Sequence, residues 1–207
     1  MQKWLLCLYL IVATPLVAEV KVLAFAGSTR ADSYNKKLVQ EAAQMARQMG
    51  AAVTVIDLKD YPLPLYDGEL EIKEGLPANA KRLRQLMIES QAIIIASPEY
   101  NSSISGVLKN TLDWASRDEN GQGSREAFKN KKFAIISASP GSGGGNRALL
   151  HLRSIIENIG GTVITEQLSV PQAHEAFDAQ GQLINPELRQ QLKQEIHQLL
   201  NSNNETE

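Results

Sequence analysis

The sequence predicts a single α/β domain, a doubly wound five-stranded parallel sheet with helices on both faces. Two observations carry that reading. Short apolar runs alternate strictly with longer stretches of helical spacing, five of each, which is the pattern of β-α-β units. The chain of 207 residues, 43% of them hydrophobic, is long enough for one compact domain with a substantial core, and no composition shift divides it.

The first 18 residues stand apart. Lys3 precedes the apolar run Trp4 to Ala13, followed by Thr14, Pro15 and Leu-Val-Ala, the layout of a secretory signal peptide. The expected division is therefore a signal peptide over 1–18 and the domain over 19–207. An apolar stretch of about 14 residues, interrupted by Pro15, falls short of the roughly 20 needed to span a bilayer, so export to the periplasm is expected in preference to a stable membrane anchor. Leu16 is bulkier than the small residue usual three positions before a cleavage site. The only cysteine, Cys7, lies in this segment, so a chain cleaved after Ala18 carries no thiol for disulfides, metals or nucleophilic catalysis.

The first strand reads from Val20 to Ala26 and runs into Gly27-Ser28-Thr29-Arg30-Ala31-Asp32-Ser33-Tyr34-Asn35, which opens directly onto a helix, Asn35 to Gln48. Small residues, hydroxyls, one guanidinium and a helix N-terminus are the groups that hold a phosphate. The loop matches neither G-x-G-x-x-G nor the P-loop, so no dinucleotide or triphosphate cradle is expected. A plain reading stands beside it, with Ser33 or Asn35 as helix cap and Gly27 as a turn. The second strand is Ala52 to Asp57, and a helix follows over Asn79 to Ser90.

The third strand, Ala92 to Ser97, ends at Pro98-Glu99-Tyr100-Asn101, ahead of a helix over Ser103 to Ser116. Pro98 fixes the backbone and biases Ser97 to an extended form, so rigid peptide donors lie where a flat heteroaromatic ring can meet them, with Tyr100 as an aromatic edge. The alternative is an ordinary strand-to-helix connection, capped by Asn101 or Ser103, with Trp114 as core. The fourth strand, Lys132 to Ser139, leads through the glycine-rich segment Pro140 to Gly145 to a helix over Asn146 to Asn158. The fifth strand, Thr162 to Leu168, precedes the last helix, Pro186 to Asn201. In doubly wound sheets ligands bind beyond the carboxyl ends of the strands, so chemistry is expected in the loops after strands one, three and four.

Those three loops carry a resemblance. The segments G-S-T-R-A-D-S-Y-N at Gly27 to Asn35, S-P-E-Y-N-S-S-I-S-G-V-L-K-N-T-L-D-W-A-S-R at Ser97 to Arg117, and G-G-G-N-R-A-L-L-H-L-R at Gly143 to Arg153 are similar to those of the NADPH-dependent FMN reductase family, over about Lys21 to Asn201. The family includes chromate, azo-dye and quinone reductases, and the resemblance implies a flavodoxin-like fold. It implies FMN as cofactor and NADPH or NADH as co-substrate, with electrons passed to a small acceptor such as a quinone, azo compound, free flavin or metal oxyanion. Residue by residue, it places Ser28, Arg30, Ser33 and Asn35 at the flavin phosphate and ribityl chain. Pro98, Glu99, Tyr100 and Asn101 fall along the ring, and the turn containing Ser139 and Gly141 at its far edge. Two departures stand out: Ser105 where a proline usually precedes Gly106, and Pro140 within the glycine-rich turn.

The cofactor carries such chemistry, so no catalytic acid or base is assigned. His151, His174 and His197 have no metal-ligand spacing, and no metal site is expected. A net charge of −2 with scattered basic residues lacks the footprint of a nucleic-acid binder. By resemblance a homodimer or homotetramer is expected. The rival function is an exported FMN-binding electron carrier or flavin-binding module without nicotinamide turnover, a reading that gains weight because nicotinamides are scarce outside the cytoplasm.

Overall fold

The computed structural model describes residues 19–201, and the expected signal peptide lies outside the described residues. In chain order the strands are β1 (Lys21–Ala26), β2 (Ala52–Asp57), β3 (Ala92–Ala96), β4 (Glu99–Tyr100), β5 (Ser103–Ile104), β6 (Lys132–Ala138), β7 (Thr162–Val163) and β8 (Leu168–Val170). The α-helices are α1 (Tyr34–Gln48), α2 (Gly68–Glu74), α3 (Ala78–Glu89), α4 (Gly106–Ala115), α5 (Asn146–Asn158) and α6 (Pro186–Asn201). The main sheet runs β2-β1-β3-β6, with β7 and β8 both paired to β6, and every pairing in it is parallel.

Alternation along the strands sorts the core into two layers. Val22, Ala24 and Ala26 of β1 pack with Leu38, Val39 and Ala42 of α1 and Leu192 and Ile196 of α6. Leu23 and Phe25 point the other way, into a cluster with Leu83 of α3, Leu108 and Leu112 of α4, and Leu149 and Leu152 of α5. The connections after β1 and β3 therefore leave on opposite faces, and a crevice opens between these adjacent strands at their carboxyl ends.

The expected α/β fold and its five strand positions are present, and the differences have local causes. The stretch after β3 is an antiparallel hairpin, β4 with β5, turned by Asn101 and Ser102 at φ +50° and +66°. Positive φ at both central residues is the twist that suits a two-residue hairpin. Residues 103–104 are thus strand, and the helix expected from Ser103 begins at Gly106, with Ser105 as its cap. Helix α2, too short to show a helical period, is capped by Asp67, whose carboxylate accepts from the N–H groups of Glu69 and Leu70. The segment before it lies against α4: Pro64 O accepts from the indole N–H of buried Trp114 and from the Asn110 amide, each at 2.8 Å.

The fifth strand, expected over Thr162 to Leu168, is broken in two. Val163 pairs with Phe133 and Leu168 with Ile136, so five steps on the edge strand face three on β6 and two extra residues bulge out. Arg153 of α5 serves the bulge from one face, donating to the carbonyls of Val163, Ile164 and Thr165. From the other face α6 presents Glu195, which is 1% exposed and has neither carboxyl oxygen in a hydrogen bond within the described residues. Burial pushes the Glu195 pKa well above the carboxylate range. The nearby N–H groups of Leu168 and Ile135 offset this only in part, Glu166 adds to it, and Arg153 opposes it.

A carboxyl that keeps its proton when folded and loses it when unfolded makes stability fall as pH rises above about 4.3, the unfolded value. The loss continues until the folded group ionises. We expect urea-unfolding free energies of Glu195→Gln to gain on those of the parent from pH 5 towards pH 8, by at most ~1.4 kcal/mol per pH unit. Parallel pH profiles for the two proteins would show that Glu195 carries no such linkage.

Candidate functional site

Three loops meet at the crevice: residues 27–33 after β1, 97–105 after β3, and 139–145 after β6. Buried polar side chains tie them to one another beneath the surface. Asn35, on the first turn of α1, donates its amide N–H to Ala138 O at 2.9 Å and accepts from Ala138 N at 2.9 Å, joining the first loop to the end of β6. Ser105 donates to Gly27 O at 2.6 Å while accepting from Leu108 N at 3.2 Å, joining the first loop to α4. Ser137 donates to Ser97 O at 2.7 Å, joining the second loop to the third. Each of these side chains is almost fully buried and satisfied, the condition under which such a network rigidifies a structure.

Two glycines permit the approach. A Cβ on Gly27 would stand 2.9 Å from the Leu108 side chain, so α4 could not pack against the first loop with any larger residue there. Gly145 has φ +90°, and a Cβ on it would stand 1.9 Å from the Ser137 hydroxyl. It opens α5 in the left-handed region, which glycine reaches without strain.

The residues expected at the flavin are brought together but divide into two kinds. Ser28 and Ser33 are buried at the lip of the first loop, and Ser33 occupies the N-cap position of α1 without any side-chain cap bond. Arg30 is exposed and its guanidinium has no partner among the described residues. These groups, with the positive end of α1, are donors without protein acceptors. Asn35 sits beside them, but its amide is turned to Ala138, so it braces the loop.

Along the second loop Pro98 is buried, and Tyr100 and Asn101 stand exposed on the hairpin. Glu99 accepts from Arg147 Nε at 2.9 Å and Nη2, and from Ala148 N at 3.4 Å, which places its carboxylate at the N-terminus of α5. Burial pushes its pKa up, but the Arg147 guanidinium and the backbone N–H groups of Ala148 and Arg147 outweigh burial and hold it below the ordinary value. His151 Nδ1 lies 2.9 Å from the Ser103 hydroxyl, so α5 grips both strands of the hairpin. Ser139 is fastened to the segment after β8 through Ser139 N to Val170 O and Ala173 N to Ser139 O, both 3.1 Å, and exposed Gly141 accepts from Gln172 N at 3.3 Å.

Sequence reasoning missed Ser105 and Ser137 as ties. For Ser105 a signal existed in its standing where a proline is usual; nothing marks Ser137 apart from the other small residues of its strand.

The donor set suits a flavin mononucleotide. Unpartnered hydroxyl and guanidinium donors at a helix N-terminus match a phosphate, and the hairpin offers a stiff wall with exposed Tyr100 to a ring. Sheet order and crevice together define a flavodoxin-like α/β protein. More narrowly, the chain belongs to the NADPH-dependent FMN reductase family, whose model matches residues 20–175. It is 34% identical over 182 residues to an NAD(P)H-dependent FMN reductase of Pseudomonas aeruginosa, covering 87% of this chain and 94% of that one. It is also 36% identical over 180 residues to an NADPH:quinone oxidoreductase of Arabidopsis thaliana, covering 84% and 87% respectively. Among solved structures it is similar to the flavoenzyme NAD(P)H:(acceptor) oxidoreductase FerB from Paracoccus denitrificans, with TM-score 0.73 and 27% identity over 87% of this chain and 94% of that one. The chain is thus an NAD(P)H-dependent flavin oxidoreductase that uses FMN.

The close approach at Gly145 yields a test. Gly145→Ala is expected to cost about 2–4 kcal/mol, from the left-handed backbone and the clash with Ser137 together. Adding Ser137→Ala should return little of that loss, because the backbone strain remains, the Ser137 Cβ still stands 2.9 Å away and Ser97 O loses its donor. Full recovery in urea unfolding would mean that the φ of Gly145 carries no cost.

Proposed function

We propose that the crevice holds FMN with its phosphate on Ser28, Arg30, Ser33 and the first-turn amides of α1. The ring then lies against Pro98, Glu99, Tyr100 and Asn101, with Ser139 and Gly141 at its far edge, and Asn35 and Ser105 position the loops without needing to touch it. The observation that carries this reading is the pair of unspent donors, the uncapped Ser33 hydroxyl and the Arg30 guanidinium, unpaired among the described residues, beside buried Asn35, Ser105 and Ser137 side chains that are all committed.

Bound FMN supplies the redox chemistry, accepting electrons from a reduced nicotinamide and delivering them to an acceptor. The protein's own part is to fix the three loops so that donors face the ring before reaction, leaving no reorganisation for the moment of electron transfer. We assign no side chain among the described residues of the crevice as acid or base. The acceptor is a small oxidant, with a quinone favoured by the quinone reductases among the relatives and an azo compound, free flavin or metal oxyanion as further candidates. A homodimer or homotetramer is the proposed assembly.

The chain is further proposed to be exported on the strength of its first 18 residues. Among the described residues no helix is long and apolar enough to cross a membrane. An enzyme outside the cytoplasm draws its electrons from whatever donor is available there, and cell fractionation of the full-length protein decides whether that question arises.

The deciding experiment is anaerobic. The purified protein should show a flavin absorbance that bleaches on adding NADPH or NADH and returns with a quinone. Arg30→Ala and Ser33→Ala should each weaken FMN binding by about tenfold, the loss of one hydrogen bond to a charged group. A bound flavin indifferent to both nucleotides would replace the reductase with a carrier fed by another donor. A protein that binds no FMN would end the assignment.

A further inference from the structure

Helices α1 and α5 both open at the crevice, and their positive ends are used differently. Neither helix carries an acidic residue in its first turn or a side-chain cap bond. The end of α5 is filled from outside, by Glu99 of the hairpin. Its carboxylate accepts from Ala148 N at 3.4 Å and from the Arg147 guanidinium, through Nε at 2.9 Å and through Nη2. One anion thus answers a helix end and a guanidinium together. The pair is uneven, with the Glu99 side chain 10% exposed and that of Arg147 68%. An ion pair so open to water on one side adds little to stability. The hairpin has other ties as well: its own pairing of Glu99 with Ile104, the Ser137 hydroxyl on Ser97 O, and His151 at Ser103. What the pair settles is charge. Burial alone would raise the Glu99 pKa, but the Arg147 guanidinium and the N–H groups of α5 outweigh it and keep the carboxylate ionised.

We propose that Arg147 is a positioning residue for the flavin: acting through Glu99, it balances the charge of a carboxylate set in the ring wall and so keeps that wall from opposing reduction of the ring. This rests on the reading that the FMN ring lies against Pro98 to Asn101. A hydride carries one proton and two electrons, so a ring that accepts it gains one negative charge. An unpaired carboxylate in the wall would repel that charge, and repulsion acts more strongly in a partly buried site than in water. The wall carries an acid all the same, because α5 begins at the left-handed Gly145, which has no side chain to cap it, and Glu99 takes that place. Arg147 offsets the consequence. Its planar fork places two donors on the same oxygen, Glu99 Oε1, which holds the carboxylate towards α5.

The test is the two-electron midpoint potential of FMN bound to the full chain, measured by anaerobic spectroelectrochemistry, beside the affinity for oxidised FMN. Arg147→Ala leaves the carboxylate unbalanced and should weaken reduced FMN about tenfold more than oxidised FMN, which lowers the potential by about 30 mV. Glu99→Gln, which keeps the shape and removes the charge, should move the potential the opposite way. The double variant carries neither charge and should return to the parent, as should Arg147→Lys, which keeps the cation. A role in stability alone would weaken both forms of FMN alike and leave the potential where it was. Potentials unmoved in Arg147→Ala and Glu99→Gln therefore overturn the proposal, and so does a double variant no nearer the parent than Arg147→Ala. If Arg147→Ala fails to fold, Glu99→Gln decides alone, an unmoved potential again overturning it. A parent chain that binds no FMN removes the flavin reading itself, an outcome distinct from bound FMN whose potential ignores the pair.

Discussion

Everything at the crevice depends on a triangle of buried hydrogen bonds beneath it. Adjacent parallel strands whose connections leave on opposite faces must part at their carboxyl ends, and the loops that follow are held only by what crosses between them. Here Ser105 joins the first loop to the entry of α4, Ser137 joins the second to the third, and Asn35 joins the first to the third. Each tie ends on a backbone carbonyl already inside the protein, where an unpaired oxygen costs more than a made bond returns. The triangle therefore resists opening: releasing one corner strands a buried carbonyl.

That arrangement explains why the loops are built of small residues. A serine hydroxyl reaches a neighbouring carbonyl only when the backbones lie close, and close backbones leave no space for side chains. Gly27 against Leu108, Gly144 against the backbone of Ser169 to Pro171, and Gly145 against Ser137 are points where this limit is met. The left-handed backbone of Gly145 turns α5 so that Arg147 and His151 face the hairpin, and Glu99 and Ser103 receive them. The wall after β3 is thus braced from below by the triangle and from the side by a helix.

Much of this was legible in the sequence. Strands β1, β2, β3 and β6 read as short apolar runs, and the helices α5 and α6 are bounded where their spacing begins and stops. What the sequence hid arises from pairing across distance. The hairpin after Pro98 turns on Asn-Ser, which lacks the glycine that announces such a turn, and its strands are two residues each. The bulge in the fifth strand is invisible because Arg153 and Glu195, which attend it from opposite faces, lie on helices whose patterns read as ordinary. At the crevice, residue types point to the three loops that meet there but do not distinguish a side chain tied to its neighbours from one left free. Asn35 carries the same amide in either role, and only its two bonds to Ala138 assign it.

The distinction between committed and uncommitted groups is the more general guide. A buried polar atom with its bonds made has no affinity to offer, however suggestive its position in a motif. Ser28 accepts from Arg30 N at 3.3 Å and keeps its own proton to donate, Ser33 caps nothing, and among the described residues the Arg30 guanidinium answers no carboxylate. The positive end of α1 adds to both and is not neutralised by any acidic residue in its first turn. With these donors idle among the described residues, that helix end presents a positive potential that an anion from outside can use. Lys36, next along the helix, is drawn off to Asp57 at the end of β2. On the proposed reading that anion is the flavin phosphate, within reach of the wall against which the ring would lie.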